Sequence, residues 1–194
     1  VYALAVSGTD VYAGGFFSTA GGGSANRVAK WNGGTWSAMG TGMNDAVYAL
    51  AANGSNVYAG GFFSTAGGVS AQRVARWNGS TWSVLGTTGI SAGGAPYPSL
   101  ALDASGYPVV AYRDEANDGK ISVQRWNGTA WNVVGTAGIS AGSAAFPSLA
   151  LDASGYPVVA FTDYVNGSKT TVQRWTGSTW IVMGTAGISA GQAY

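Results

Sequence analysis

The sequence predicts an all-β protein: a β-propeller built from four four-stranded antiparallel blades, closed on itself or forming part of a larger ring. Three observations carry that expectation. The 194-residue chain repeats internally, each repeat holds four short apolar runs parted by turn residues, and each carries one aromatic hairpin of the form Trp-x-Gly-x-x-Trp. That hairpin occurs at 31–36, 77–82, 126–131 and 175–180 and takes up all 8 tryptophans. Four strands in a repeat of about 40–50 residues is the signature of a propeller blade. A lone four-stranded sheet has two apolar faces and can bury neither, whereas stacked blades cover both. A parallel β-solenoid fits less well, because its coils are shorter and need no hairpin at a fixed place.

The repeats come as two pairs. Val1 to Gly40 realigns on Val47 to Gly86 with about three residues in four identical. Pro98 to Gly135 realigns on Pro147 to Gly184 and keeps Pro-Ser-Leu-Ala-Leu-Asp-Ala-Ser-Gly-Tyr-Pro-Val-Val-Ala unchanged. The blades are therefore expected at approximately 1–46, 47–97, 98–146 and 147–194. In the first, strands are expected at Tyr2–Val6, Val11–Gly15, Arg27–Trp31 and Trp36–Met39. Breaks fall at Ser7-Gly8-Thr9-Asp10, at the glycine-rich stretch from Thr19 to Ala25, and at Asn32-Gly33. In the third, they are expected at Leu100–Leu102, Tyr107–Tyr112, Ile121–Trp126 and Trp131–Val134. Asn-Gly between apolar runs predicts a type I′ turn, whose two central residues both need φ > 0. The nearly continuous apolar run Pro108–Tyr112 reads as an inner strand buried on both faces.

Composition bounds the chemistry. Charged residues are 9% of the chain and there are 32 glycines, against about 25% and roughly 7% in an average domain. A net charge of +1 offers no field to hold nucleic acid, and no apolar run approaches the ~18 residues of a membrane helix. With no cysteine and no histidine, disulfides, thiol nucleophiles and the commonest metal ligand are absent, and no cofactor is expected. The segment Gly184–Gly191 copies Gly135–Gly142, which leads into the next blade. The expectation is a window on a longer array, or a set of blades completed by a second copy.

In the first two repeats, Val11-Tyr12-Ala13-Gly14-Gly15, then Arg27-Val28-Ala29-Lys30-Trp31, then Trp36 resemble the kelch motif, and Val57–Gly61, Arg73–Trp77 and Trp82 repeat it. The resemblance implies that Trp36 and Trp82 pack between blades and that the glycines permit close strand approach. Repeats three and four depart from it, with Arg113-Asp114 and Thr162-Asp163 near the place of the double glycine. The copper oxidases that share kelch architecture need histidine and cysteine ligands, which this chain lacks. Fold alone carries little function, since propellers host enzymes, lectins and scaffolds.

Each candidate position has a structural reading beside a functional one. The basic residue before each first tryptophan, Lys30, Arg76, Arg125 and Arg174, reads as blade framework, its head pairing with a neighbouring Asp or lying over an indole. Asp103 and Asp152 sit in Asp-Ala-Ser-Gly turns, where Asp is wanted for local bonds. The acidic loop Asp114–Gly119 reads as a hairpin tip, since the alternate ligands and late Glu of a calcium loop are missing. Of Phe16-Phe17 and Phe62-Phe63, one ring of each pair should enter a blade interface and the other lie near a loop face, where it could stack on a sugar. Asn53, Asn78, Asn127 and Asn166 stand in glycosylation sequons, for which turn chemistry is the simpler explanation. The expected readers of a ligand lie where repeats three and four diverge, at Arg113-Asp114-Glu115 against Thr162-Asp163-Tyr164: Arg113, Asp114, Asp163 and Tyr164. The sequence thus points to a non-catalytic, extracellular or cell-surface binding module for carbohydrate or protein. The alternative is a structural protein that self-associates into a ring or a surface fibre.

Overall fold

The computed structural model describes residues 1–86 and 89–193. The chain end at Tyr194, assigned above to the fourth blade, lies outside them. The chain divides into two compact units, Val1–Ile90 and Ser91–Tyr194, and each holds two blades.

In the first unit, blade 1 comprises β1 (Ala3–Ser7), β2 (Asp10–Gly14), β3 (Thr19–Ala20), β4 (Gly23–Ser24), β5 (Val28–Trp31) and β6 (Trp36–Ala38). Its sheet runs β1-β2-β5-β6, all antiparallel, with β3 and β4 forming a separate two-stranded hairpin. Blade 2 repeats this with β7 (Val47–Asn53), β8 (Asn56–Gly61), β9 (Thr65–Ala66), β10 (Val69–Ser70), β11 (Val74–Trp77) and β12 (Trp82–Val84). In the second unit, blade 3 is the meander β13 (Ser99–Leu102), β14 (Pro108–Asp114), β15 (Lys120–Trp126) and β16 (Trp131–Val133). Blade 4 is β17 (Ala144–Leu151), β18 (Pro157–Asp163), β19 (Lys169–Trp175) and β20 (Trp180–Val182). β17 bends through a bulge between Ala145 and Ser148, at Phe146.

Alternation decides what each strand buries. β14 is the expected two-sided strand, with Pro108 to Tyr112 all buried. The core of the first unit joins Tyr12, Val28 and Met39 of blade 1 to Val47, Val57, Phe63 and Trp82 of blade 2. That of the second joins Val109, Ile121 and Val123 to Val159 and Phe161. Each core is therefore the seam between two blades, so neither blade of a pair has a buried interior of its own.

Two turns differ from expectation, for one reason. In the tryptophan hairpin only the glycine has positive φ, +96° at Gly33 and +102° at Gly79, and the asparagine does not. Asn32 Oδ1 accepts from the backbone N–H of Gly34 (3.0 Å) and Thr35 (2.9 Å), so the side chain closes the turn and its own backbone stays out of the left-handed region. Asn78 and Asn127 do the same. The two-residue turn with both φ values positive sits instead in the glycine-rich stretch expected as a plain break. There Gly21 (+57°) and Gly22 (+83°) connect β3 to β4, and Gly67 and Gly68 repeat them in blade 2.

Candidate functional site: the inter-blade clefts

The site is framed by the tryptophan hairpins. In each, the two indoles face one another across paired strands, with centroids 5.7 Å apart for Trp31–Trp36 and 5.4 Å for Trp77–Trp82. The second indole then reaches the preceding blade. Trp82 Nε1 donates to the Met39 carbonyl (2.8 Å), and Trp180 Nε1 to the Val134 carbonyl (2.8 Å). Met39 and Val134 both stand three residues past the second tryptophan of their own blade. The hairpin thus acts as a blade-to-blade clasp.

Beside each clasp, on the same seam, lies a cleft. In the first unit it has a volume of about 530 Å³ and is lined by Asp10, Tyr12 and Lys30 of blade 1 and by Ser55 and Trp77 of blade 2. Lys30 Nζ pairs with Asp10 Oδ2 at 2.7 Å, with both side chains about a third exposed, and lies 5.8 Å from the centre of the Tyr12 ring. The Asp10 carboxylate, bonded to the ammonium, holds the Lys30 pKa above its ordinary value. Burial raises that of Tyr12, which stays a phenol and a donor. In the second unit the matching cleft is about 290 Å³, lined by Arg125, Asn132, Val134, Tyr156 and Trp175. Arg125 takes the place of Lys30 but turns onto the Gly155 carbonyl of blade 4 (2.6 Å). Where blade 2 offers the small Gly54 and Ser55, blade 4 offers the Tyr156 ring, so the second cleft is narrower. Chemically, the larger one presents a carboxylate, an ammonium, a phenol and an indole edge within one concavity, a donor and acceptor set suited to a polyhydroxylated ligand.

Of the basic framework residues, Lys30 and Arg174 pair with an Asp as expected, Arg174 with Asp152 at 2.6 Å, whereas Arg76 donates to Asn56 Oδ1 through Nε and Nη2 (3.0 and 2.7 Å) and Arg125 to a backbone carbonyl. The Tyr156 backbone N–H, joined by Arg174, holds Asp152 below the usual carboxylate range.

The ligand residues expected at the loop tips are placed as follows. Asp114 is buried at 3% exposure and its oxygens accept from Ser91 Oγ (2.8 Å), the Ala116 N–H (3.2 Å), Asn117 Nδ2 (2.7 Å) and Ser122 Oγ (2.8 Å). Asp163, at 2%, accepts from the Val165 N–H (3.2 Å), Asn166 Nδ2 (2.8 Å) and Thr171 Oγ1 (2.8 Å). Each aspartate organises its own hairpin tip, and Asp114 caps the short 3-10 turn Glu115–Asn117. Arg113 is half-buried beside Glu115, Nε to Oε1 2.9 Å, and Tyr164 is 43% exposed.

Sequence reasoning missed one aromatic feature. Tyr97 (φ +54°) and Phe146 (φ +51°) both occupy the left-handed region, and their rings pack at 4.5 Å. A bulky residue there is strained by about 1–3 kcal/mol, a condition that gathers at functional sites. The available signal was their equivalent position, each just before the Pro-Ser-Leu run. Phe16 is exposed and Phe63 fully buried, as alternation predicted. Arg27 lies over Phe16 at 4.2 Å and Arg73 over Phe62 at 5.1 Å.

No known family profile matches the chain, and no curated protein is recognisably related to it. Solved structures are similar. One is the "SapL1 lectin in complex with alpha methyl fucoside", with a TM-score of 0.52, 20% identity, 95% of this chain covered and 63% of that one. Another is the "Bacteroides ovatus Xyloglucan PUL GH43B", with 0.50, 14%, 94% and 40%. Both are propellers. The fold is a β-propeller. This propeller chain spans less than two thirds of either neighbour's length, and at such identities the likeness shows the fold, which a lectin and an enzyme share. Among the described residues, no helix is long and apolar enough to cross a membrane.

Proposed function

We propose that the chain is an extracellular or cell-surface propeller module that binds carbohydrate in its inter-blade clefts. The observation that carries this is the larger cleft, where the Lys30–Asp10 pair, the Tyr12 hydroxyl and the Trp77 ring meet between blades 1 and 2. A sugar offers vicinal hydroxyls for the charged pair and C–H groups for an indole, and charge-assisted bonds supply the stronger part of such contacts. The propeller lectin of similar fold, solved with a fucoside, supports the substrate class. The kelch-like character of blades 1 and 2 rests on Gly14-Gly15, Gly60-Gly61 and the tryptophans.

The non-catalytic reading rests on the state of the carboxylates. Asp114 and Asp163 are engaged by local donors, while Asp10 and Asp152 are held in ion pairs. At the loop tips, Arg113 and Tyr164 are the members a ligand would meet, with Asp114 and Asp163 fixing the tip shape.

The test is a glycan array followed by calorimetry on hits, with the variant Asp10→Asn/Lys30→Met. Removing the charged pair should weaken binding roughly 10- to 100-fold, the worth of charge-assisted bonds. Saturable binding that ignores the double variant moves the site away from this cleft. A blank array sinks the carbohydrate reading.

A further inference from the structure

The two clefts differ in charge. In the first unit, Lys30 is neutralised where it stands by Asp10 (2.7 Å), so the larger cleft is polar but balanced. Arg125, at the same place in blade 3, forms no ion pair among the described residues. Strand register explains why. Tyr12 lies opposite Lys30 and Val109 opposite Arg125, so two residues earlier Asp10 of blade 1 gives way to Tyr107, which carries no charge. The acids of the adjoining turns are committed elsewhere. Asp103 accepts from the Ser105 and Tyr107 N–H groups. Asp152 stands in the blade 4 turn that Arg125 reaches, and accepts from the Ser154 and Tyr156 N–H groups and from Arg174.

The Arg125 guanidinium is therefore a cation without a counter-charge, and it is poorly satisfied as a donor. Nη2 donates to the Gly155 carbonyl (2.6 Å), Nε is sealed from solvent with no acceptor, and Nη1 makes no hydrogen bond among the described residues. Unmatched polar groups of this kind are rare in native proteins and call for a reason, a bound ion or ligand among them. The group borders the cleft of about 290 Å³ between blades 3 and 4. Asn132 lies directly opposite it in the β15–β16 pairing, on the same face of the sheet, as cross-strand partners do. Blade 4 supplies the aromatic walls, Tyr156 and Trp175. The Tyr156 ring is held against the Gly177 corner, where an added Cβ would come within 2.7 Å of its hydroxyl.

We propose that the cleft between blades 3 and 4 takes an acidic sugar, with its carboxylate or sulfate ester on the Arg125 guanidinium and its ring against Tyr156 and Trp175. This rests on the carbohydrate reading above and adds the charge of the ligand to it. A charge-assisted hydrogen bond is about twice as strong as a neutral one, and no protein carboxylate competes for Arg125. The volume lies at the lower end of the ~300–1,000 Å³ usual for small-molecule sites, which suits a single sugar unit. The two seams then divide the work, the balanced Lys30–Asp10 cleft serving neutral hydroxyls and the Arg125 cleft an anionic group.

The test uses the full chain on a panel of galacturonate, glucuronate and sulfated galactan oligosaccharides, each beside its carboxyl-reduced or desulfated counterpart, with calorimetry on the pairs that bind. The acidic form should bind about tenfold tighter than its uncharged counterpart, and raised salt should narrow the gap. Whichever anion shows the larger gap, carboxylate or sulfate, is the one the cleft prefers. Arg125→Gln should bring the acidic form down to the affinity of the uncharged one. Asn132→Asp should do the same by giving Arg125 a carboxylate from an exposed strand position, so the test stands even where Arg125→Gln unfolds; circular dichroism melts check both variants. Uncharged sugars bound as tightly as acidic ones overturn the inference and leave the carbohydrate reading standing. A preference for acid that survives both variants also overturns it. A panel on which no sugar binds, charged or neutral, removes both.

Discussion

Trp36 and Trp82 occupy the same place in nearly identical repeats, yet their replacement should have very different costs. Trp82 is buried against blade 1 and its N–H satisfies the Met39 carbonyl. Trp82→Phe removes that donor and strands a buried acceptor, worth about 1–3 kcal/mol. The smaller ring gives up roughly 1 kcal/mol more of apolar burial. The sum, about 2–4 kcal/mol, corresponds to a drop in Tm of roughly 5–15 °C for a chain of this size. Trp36 is only half-buried and has no such bond, so Trp36→Phe should cost under about 1 kcal/mol, or less than ~4 °C. Differential scanning calorimetry compares the two directly. Equal shifts would refute the reasoning, for then the motif and not its partner would set the contribution.

Other outcomes follow from the same geometry. Asp163→Ala leaves Thr171 Oγ1, Asn166 Nδ2 and the Val165 N–H without their acceptor and should destabilise by about 2–4 kcal/mol in urea unfolding. Asn127→Ala should cost about 1 kcal/mol, because the turn loses the side-chain acceptor for Thr129 and Ala130. Gly22→Ala meets no neighbour but forces φ +83° on alanine, for about 1–2 kcal/mol. In pH titration, the Lys30–Asp10 pair raises the Lys30 pKa, so its contribution is complete below the ordinary lysine value of 10.5 and is lost only as pH rises through the higher folded value. Asp152 has a lowered pKa, so its contribution holds above 3.8 and disappears as pH falls through the folded value. Between these limits thermal stability should show no step from either group.

The blades were legible because two signals coincide. Period-two apolar runs set the strands, and the tryptophan hairpin marks where each blade ends. The clasp was legible in role, since a hairpin invariant among variable loops reads as framework, but its acceptors were not. Met39 and Val134 act through their carbonyls, and a backbone atom leaves no side-chain signature. The Asn-Gly corner misled because asparagine can serve a turn in two ways, by taking positive φ or by lending its Oδ1, and only geometry separates them. At the loop tips, the sequence marks Arg113-Asp114 and Thr162-Asp163 as the place where the repeats diverge, but not that each acid accepts from neighbouring hydroxyl, amide and backbone N–H donors. The cleft went unseen for the converse reason. Asp10, Lys30 and Trp77 lie far apart in sequence, and only the seam between blades brings them together.

The clasps have a bearing on folding kinetics. Trp82 bonds a residue 43 positions back and Trp180 one 46 positions back, so the longest loop that a seam must close is set by the repeat and not by the length of the chain. Loop-closure entropy grows only slowly with loop size, and folding rate tracks mean contact separation. Adding blades by duplication would therefore lengthen the protein without slowing the closure of any single seam. A chain built this way can change its blade number while each new pair folds on the timescale of the first.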